Sequence, residues 1–383
     1  MGRTRTKAKK IKSAITENTS EPSQPPPVSS LLAKAQALVV QCDYPLAERF
    51  IKRVLEREPN NAEAREMHAV VLLETGELDT AKQIFETLIP PHLDAPSPPP
   101  SSAYLYLAQL SDEDPQVALQ YYQTAVDLMT SQLKGKERAV GASGAENDVE
   151  VRRNIVRALI GMVEIWMDPS YNLCFDPSAE KICEDLLQLA LQTDPGNTEA
   201  LQSLASVRLS QQRPDDAKQC LEQAWVSWKD LDQDDTRVPP IPTRISLIKM
   251  FIELELFEPA LMVLTGVIES DDQEVEAWYL EGWCFFLMAE RAQENGGILG
   301  DLTAEQLGKD ARDCLETCKM LHESQEHPDT PLLDHTKELI AKLENMGIQP
   351  PSDDDQDDGE GEGEADEGEW EDVGSDDGDV EMS

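Results

Sequence analysis

Apolar residues recur with a helical period along most of the chain, and alanine is repeatedly followed four residues later by a large apolar residue. Positions i and i+4 lie on one face of an α-helix, so each such pair predicts a helix that packs through that face. Five segments show the pattern: Ala47 with Ile51, Ala81 with Phe85, Ala118 with Tyr122, Ala217 with Leu221, and Ala260 with Leu264.

The spacing of these segments indicates a repeat. Trp278, Gly282 and Phe285 fit the large, small and aromatic positions in the first helix of a tetratricopeptide repeat, whose period is 34 residues. An irregular helical bundle would not keep that interval, which separates Ala47 from Ala81, Cys183 from Ala217, and Ile248 from Gly282. The predicted fold is all-α: a right-handed tetratricopeptide-like solenoid of about seven helix pairs plus a C-terminal capping helix, with disordered termini.

Turn signals divide the chain into pairs. We expect helix pairs over 29–60, 62–89, 104–129, 151–193, 198–229, 243–270 and 278–322, and a last helix over 330–346. Ser29 or Ser30 is the expected first cap, and Thr303 the cap of the last second helix. Glycines between residues 134 and 148 predict a mobile insertion.

The two ends differ in composition from the middle. Residues 1–28 are predicted to be a disordered basic tail and linker, 29–349 the superhelical domain, and 350–383 a disordered acidic tail with 17 acidic residues and no Lys or Arg. Lys9, Lys10 and Lys12 form a candidate nuclear-import signal. Gly2 and Thr6 also fit an acylation pattern, but the acidic remainder of the chain would repel anionic lipid.

Charge narrows the choice of partners. The net charge of −42 argues against direct binding of nucleic acid and favours a basic protein partner. Seven cysteines without a regular framework, and no N-terminal apolar stretch, indicate a reducing intracellular compartment. No apolar run approaches the roughly 20 residues that span a bilayer. We expect a monomer with no membrane association.

A search for catalytic or metal-binding motifs is largely negative. His322 and His327 are five residues apart, so they do not share a helix face as a metalloprotease motif requires. Cys314, Cys318 and His322 lie on one helical stripe, which indicates core positions rather than zinc ligands. The sequence predicts no enzyme activity, no cofactor and no metal.

The first helices carry the candidate binding groove. In tetratricopeptide repeats, the residues two, five, nine, twelve and thirteen positions from the repeat start line the concave wall. Acidic and aromatic residues recur there, which favours an acidic peptide-binding groove over an ordinary solvated face. The candidate residues are Glu63, Glu66, Glu74, Glu199, Gln202, Glu253, Glu276, Tyr279, Trp283 and Phe286.

The full-length arrangement resembles the fungal assembly chaperones dedicated to large-subunit ribosomal protein four (the uL4 family). The shared features are a basic Met-Gly-Arg start with Lys9-Lys10-Ile11-Lys12, irregular repeats from Leu31 to His322, and an acidic tail from Asp353 to Glu381. The resemblance implies that the chain binds a long basic extension of the newly made ribosomal protein. It also implies that the chain keeps this protein soluble and accompanies it to ribosome assembly in the nucleus. An import receptor is a further possible partner, and the implied locations are cytoplasm and nucleus.

Three other functions stay open. A co-chaperone for general heat-shock chaperones clamps their acidic tails with basic and amide residues, but Leu32, Gln36, Glu66 and Val70 occupy those positions here. The client could also be another basic nuclear protein. An unrecognised enzyme is the third alternative, which a turnover assay would test.

Overall fold

The computed structural model describes residues 26–138 and 145–349. Within these ranges the chain forms fifteen α-helices, two short 3-10 turns and one two-stranded hairpin. The helices are α1 Val28–Val40, α2 Tyr44–Arg57, α3 Ala62–Glu74, α4 Leu78–Glu86, α5 Ser101–Gln109, α6 Pro115–Arg138, α7 Ala145–Met167, α8 Ala179–Thr193, α9 Thr198–Ser210, α10 Pro214–Val226, α11 Ile241–Glu253, α12 Phe257–Ser270, α13 Val275–Glu294, α14 Ala304–Ser324 and α15 Thr330–Asn345. The strands are β1 Ile298–Leu299 and β2 Leu302–Thr303.

The helices belong to two compact units, Met1–Val207 and Arg208–Ser383, and the division falls near the end of α9. In the first unit, α1 contacts its partner α2 and also α3, the first helix of the next pair. In the second unit, α11 contacts α12 and α13 in the same way. The prediction of an all-α fold, made of seven tetratricopeptide-like pairs and a final helix, is confirmed.

In four helix pairs, the turn between the first and the second helix has the same backbone geometry. The second residue after the first helix has a left-handed backbone in each, with φ of 57° at Cys42, 85° at Gly76, 59° at Gln212 and 57° at Glu255. The following amide donates back to a carbonyl in the last turn of the helix, as from Glu77 N to Leu72 O at 2.8 Å. This is the Schellman geometry that ends a helix. Only one of the four turns uses glycine, so a glycine search misses the others.

Two sequence expectations about helix ends are wrong. α1 begins at Val28 with Pro27 as its N-cap, and neither Ser29 nor Ser30 caps it with a side chain. α6 continues to Arg138 and α7 begins at Ala145, so both ends of the predicted insertion over 134–148 are helical, while residues 139–144 lie outside the described residues.

Buried arginines hold the irregular spacers in place. Arg65, on α3, donates from Nη2 to the Asp94 carbonyl at 2.8 Å and so fixes the proline-rich segment after α4. Arg244, on α11, donates from Nη1 to Gln233 Oε1 at 2.9 Å and to the Gly266 carbonyl at 3.1 Å. Each spacer is therefore docked within its own unit and is not a free linker.

The seventh pair contains the hairpin. β1 and β2 pair antiparallel, with Ile298 opposite Thr303. Thr303 then caps α14 in a full capping box with Gln306, which confirms the predicted cap. α15 packs against both α13 and α14.

Both predicted tails lie outside the described residues, apart from residues 26–28, of which Val28 already belongs to α1. The division at 29–349 stays a prediction. Among the described residues, no helix combines the length and apolar character that crossing a membrane requires.

Candidate binding surfaces

The first unit presents carboxylates on α3 toward its neighbours. Glu63 is exposed in the first turn, where the positive end of the helix dipole stabilises its charge. Glu66 accepts a hydrogen bond from the Ser102 hydroxyl on α5, and Glu74 accepts one from Tyr44 Oη at 3.3 Å. Burial raises the pKa of Tyr106, and the charges of Glu66 and Glu74 raise it further. All three predicted carboxylates therefore lie on α3, and two of them, Glu66 and Glu74, lie near Tyr106 of α5.

Two further carboxylates, Glu164 on α7 and Glu199 on α9, lie close enough to influence each other's charge. Loss of solvent raises the pKa of Glu164 on α7, and the charge of Glu199 on α9 adds to the effect. Burial, followed by the charge of Glu164, raises the pKa of Tyr122. The Tyr122 ring packs so closely on Gly161 that a Cβ there would lie 2.9 Å from its hydroxyl. Glu199 is one of the residues predicted from the sequence, but Glu164 is not, because it is the fourteenth residue from Val151 and lies one position beyond those counted as lining the groove.

Two predicted groove residues are not accessible. Gln202 on α9 is only 6% exposed, and its Nε2 atom has no hydrogen-bond partner among the described residues. Phe286 is 3% exposed and packs with Leu315, Leu339 and Leu343. Assigning these two side chains to an open groove is wrong, and for Phe286 the reason is that α14 and α15 cover that side of α13.

Five of the predicted residues lie on α11 and α13 of the second unit, the buried Phe286 among them. Glu276 forms an ion pair with Lys249 Nζ at 2.6 Å, so its charge is already matched by a cation of the same unit. Tyr279 stacks on Trp283 with ring centroids 5.9 Å apart, and its hydroxyl bonds His335 Nδ1 at 2.7 Å. Burial, followed by nearby acidic groups, raises the pKa of Tyr279 to about 12, so the phenol stays protonated.

A pocket of about 680 Å³ opens between the C-terminal halves of α11 and α13. Trp283, Leu287, Glu290 and Glu294 follow one another at i, i+4, i+7 and i+11, so they form one stripe of α13. α11 faces them with a second set, Lys249, Ile252 and Glu253. Glu255 follows in the turn to α12, and Phe257 is the first residue of α12. Of the predicted residues, Glu253 and Trp283 therefore line one pocket.

The cysteine and histidine stripe of α14 lies in the core. Cys318 is fully buried beside Val275, Leu321 and Leu332, and burial raises its pKa to about 11. His322 Nε2 contacts the Asp329 carbonyl at 2.8 Å. Within 26–138 and 145–349, no group of three or more His, Cys, Asp or Glu is arranged to hold a metal ion.

Other predicted sites fall elsewhere. Lys9, Lys10 and Lys12 and the acidic tail lie outside the described residues. At the positions where a heat-shock co-chaperone needs basic and amide groups, Leu32 is buried, Gln36 is exposed and Glu66 is acidic.

Comparison with known proteins gives the family. The tetratricopeptide repeat family matches residues 28–97, which contain α1 to α4. A protein of Emericella nidulans (strain FGSC A4), named probable assembly chaperone of rpl4, is 31% identical over 355 residues, 88% of this chain and 85% of that protein. The chain belongs to this family of assembly chaperones.

Further relatives agree with that membership. A protein of Schizosaccharomyces pombe (strain 972) with the same name is 29% identical over 299 residues, covering 78% of this chain and 85% of the relative. The solved structure named assembly chaperone of RpL4 (Acl4), residues 1–338, is 26% identical with a TM-score of 0.61, covering 71% of this chain and all of that chain. The family's fold is therefore the fold described above.

Proposed function

We propose that this protein is a dedicated chaperone of ribosomal protein four of the large subunit. It binds the new ribosomal protein through acidic surfaces on its first helices, keeps it soluble, and accompanies it to nuclear assembly. The observation that carries the proposal is the relative named probable assembly chaperone of rpl4, similar over 88% of this chain. Its action is binding, and no turnover is expected.

The charge distribution supports a basic client. Glu63 and Glu74 are exposed on α3, and Glu253 is exposed on α11. Arg- and Lys-rich segments that later contact ribosomal RNA need a polyanionic partner until the RNA replaces it, and a chain of net charge −42 provides one. The client segment that best fits is a long basic extension in an extended conformation.

The heat-shock co-chaperone alternative has weaker support. Its ligand is an acidic tail, which the carboxylates of α3 would repel. The buried Leu32 also leaves no cation where that clamp needs one. A different basic nuclear client is compatible with the same surface, and identifying the protein that co-purifies in stoichiometric amount separates the two.

Charge reversal tests the proposal. The triple variant Glu63→Lys, Glu66→Lys, Glu74→Lys should weaken binding of recombinant ribosomal protein four by roughly ten- to ten-thousand-fold, since each contact contributes roughly 0.5–2 kcal/mol. The control reverses three exposed acids outside the first helices, Glu56, Glu86 and Glu113.

Calorimetry at low and high salt measures the effect, and circular dichroism checks the fold. The control should bind nearly as well as the natural chain, while the α3 variant loses affinity most at low salt. Equal losses in both variants would mean that net charge, not the α3 surface, drives binding. Failure of the natural chain to bind ribosomal protein four would refute the proposal.

A further inference from the structure

The pocket between α11 and α13 has an apolar wall and an acidic rim. Ile252, Phe257, Trp283 and Leu287 supply the apolar surface, and Glu253, Glu290 and Glu294 supply carboxylates. Trp283 is partly exposed, and Leu287 follows it by one helical turn. This combination suits a ligand with an apolar or aromatic-stacking body and a positive charge.

The cations already in the pocket do not neutralise that rim. Lys249 is bound to Glu276 at 2.6 Å, and Arg291 is paired with Glu255. In the part of the chain that the structure describes, the side-chain carboxylates of Glu253, Glu290 and Glu294 form no hydrogen bond or ion pair. The pocket therefore keeps an excess of three negative charges after its own ion pairs are counted.

Backbone electrostatics act in the same direction. α11 ends at Glu253 and α13 ends at Glu294, so both helices direct their C-terminal ends toward the pocket. The C-terminal end of a helix carries about half a negative charge and favours cations in its last turn. Side chains and helix ends thus both select a positively charged group.

Arginine fits this site better than lysine. A guanidinium group is planar, stacks on aromatic rings and donates several hydrogen bonds at once, whereas an ammonium group is compact and strongly hydrated. Beside Trp283, a guanidinium can reach Glu253 on one side of the pocket and Glu290 on the other. We propose that this pocket is an arginine-binding subsite, which rests on the proposed function in that the arginine belongs to the basic client.

Peptide binding to the full chain tests the subsite. The probes are nonaarginine and nonalysine, together with 20-residue peptides from the most basic segment of ribosomal protein four, made with arginine, lysine or the neutral isostere citrulline. The arginine forms should bind about tenfold more tightly than the lysine forms, and citrulline should bind weakest.

Three variants locate the effect. Glu253→Gln with Glu290→Gln removes charge while keeping side-chain shape, and Trp283→Ala removes the stacking surface. Both should abolish the preference for arginine over lysine. Glu258→Gln is the matched control, because Glu258 is an exposed carboxylate on α12 that does not line the pocket, and it should leave the preference intact.

The outcomes separate the two proposals. If ribosomal protein four binds the natural chain but the pocket variants keep the full arginine preference, the subsite assignment is wrong and the proposed function stands. If ribosomal protein four does not bind, the nonaarginine and nonalysine comparison still decides the subsite. Equal affinity of those two peptides for the natural chain would overturn it.

Discussion

Gly282 tests whether close helix contact sets the stability of the second unit. It lies on α13 where α14 crosses, and a Cβ there would meet Leu315 Cγ at 2.7 Å and the Ala311 carbonyl at 3.1 Å. Leu315 is fully buried and has no room to move. Overpacking of this kind destabilises a protein by about 1–3 kcal/mol, whereas the higher helix propensity of alanine than of glycine stabilises it by about 1 kcal/mol. Gly282→Ala should therefore lower the free energy of unfolding by about 1 kcal/mol.

Urea denaturation of the full chain provides the measurement, followed by circular dichroism and by tryptophan fluorescence. The control is Gly135→Ala on α6, where an added Cβ meets nothing within 4 Å. That change should raise stability by about 0.5–1 kcal/mol, because only the helix propensity changes. If Gly282→Ala is stabilising to the same degree as Gly135→Ala, the packing argument is refuted.

Three further predictions concern the ends and the acidic surface. A chain trimmed to residues 29–349 should keep the helical signal and melting temperature of the full chain, and a clear loss on trimming would contradict the predicted boundaries. Replacing Lys9, Lys10 and Lys12 with alanine should shift the protein toward the cytoplasm in cells lacking the client, and an unchanged distribution by fluorescence microscopy would remove the import hypothesis. Glu164→Gln should raise the thermal midpoint at neutral pH. The raised pKa means that the folded state binds the proton of the Glu164 carboxyl group more tightly than the unfolded state does. Stability therefore falls as the pH rises from the ordinary pKa of a glutamate to the raised pKa of the folded state. The gain should vanish in acid, and a midpoint gain independent of pH would contradict the assignment.

Sequence periodicity was sufficient to predict the helix pairs, because each pair buries the face marked by alanine and the large residue four positions later. Ala47, Ile51, Ala81 and Phe85 are all fully buried. The later pairs depart from a standard repeat through long helices such as α6 and α7 and through docked spacers. The match to the tetratricopeptide family covers residues 28–97, which contain the first two helix pairs.

The binding surfaces were less predictable. Counting positions from the start of a repeat assumes that nothing covers the first helix, but α15 covers part of α13 and buries Phe286. The same counting cannot show that Lys249 reaches Glu276 across two helices. It also stops before the last turns of the long α13, where Glu290 and Glu294 line the pocket.

On the proposed function, the Lys249–Glu276 ion pair would make binding to the surface of α11 and α13 depend on how many positive charges the ligand carries. A cation arriving at Glu276 exchanges one ion pair for another, so this contact adds little net free energy. A segment with a single positive charge gains little there, whereas a densely basic segment can also engage Glu253 and the carboxylates of α13. On the proposed function, replacing Lys249 with a neutral residue would leave Glu276 unpaired, so that weakly basic proteins would bind this surface more tightly than they bind the natural one.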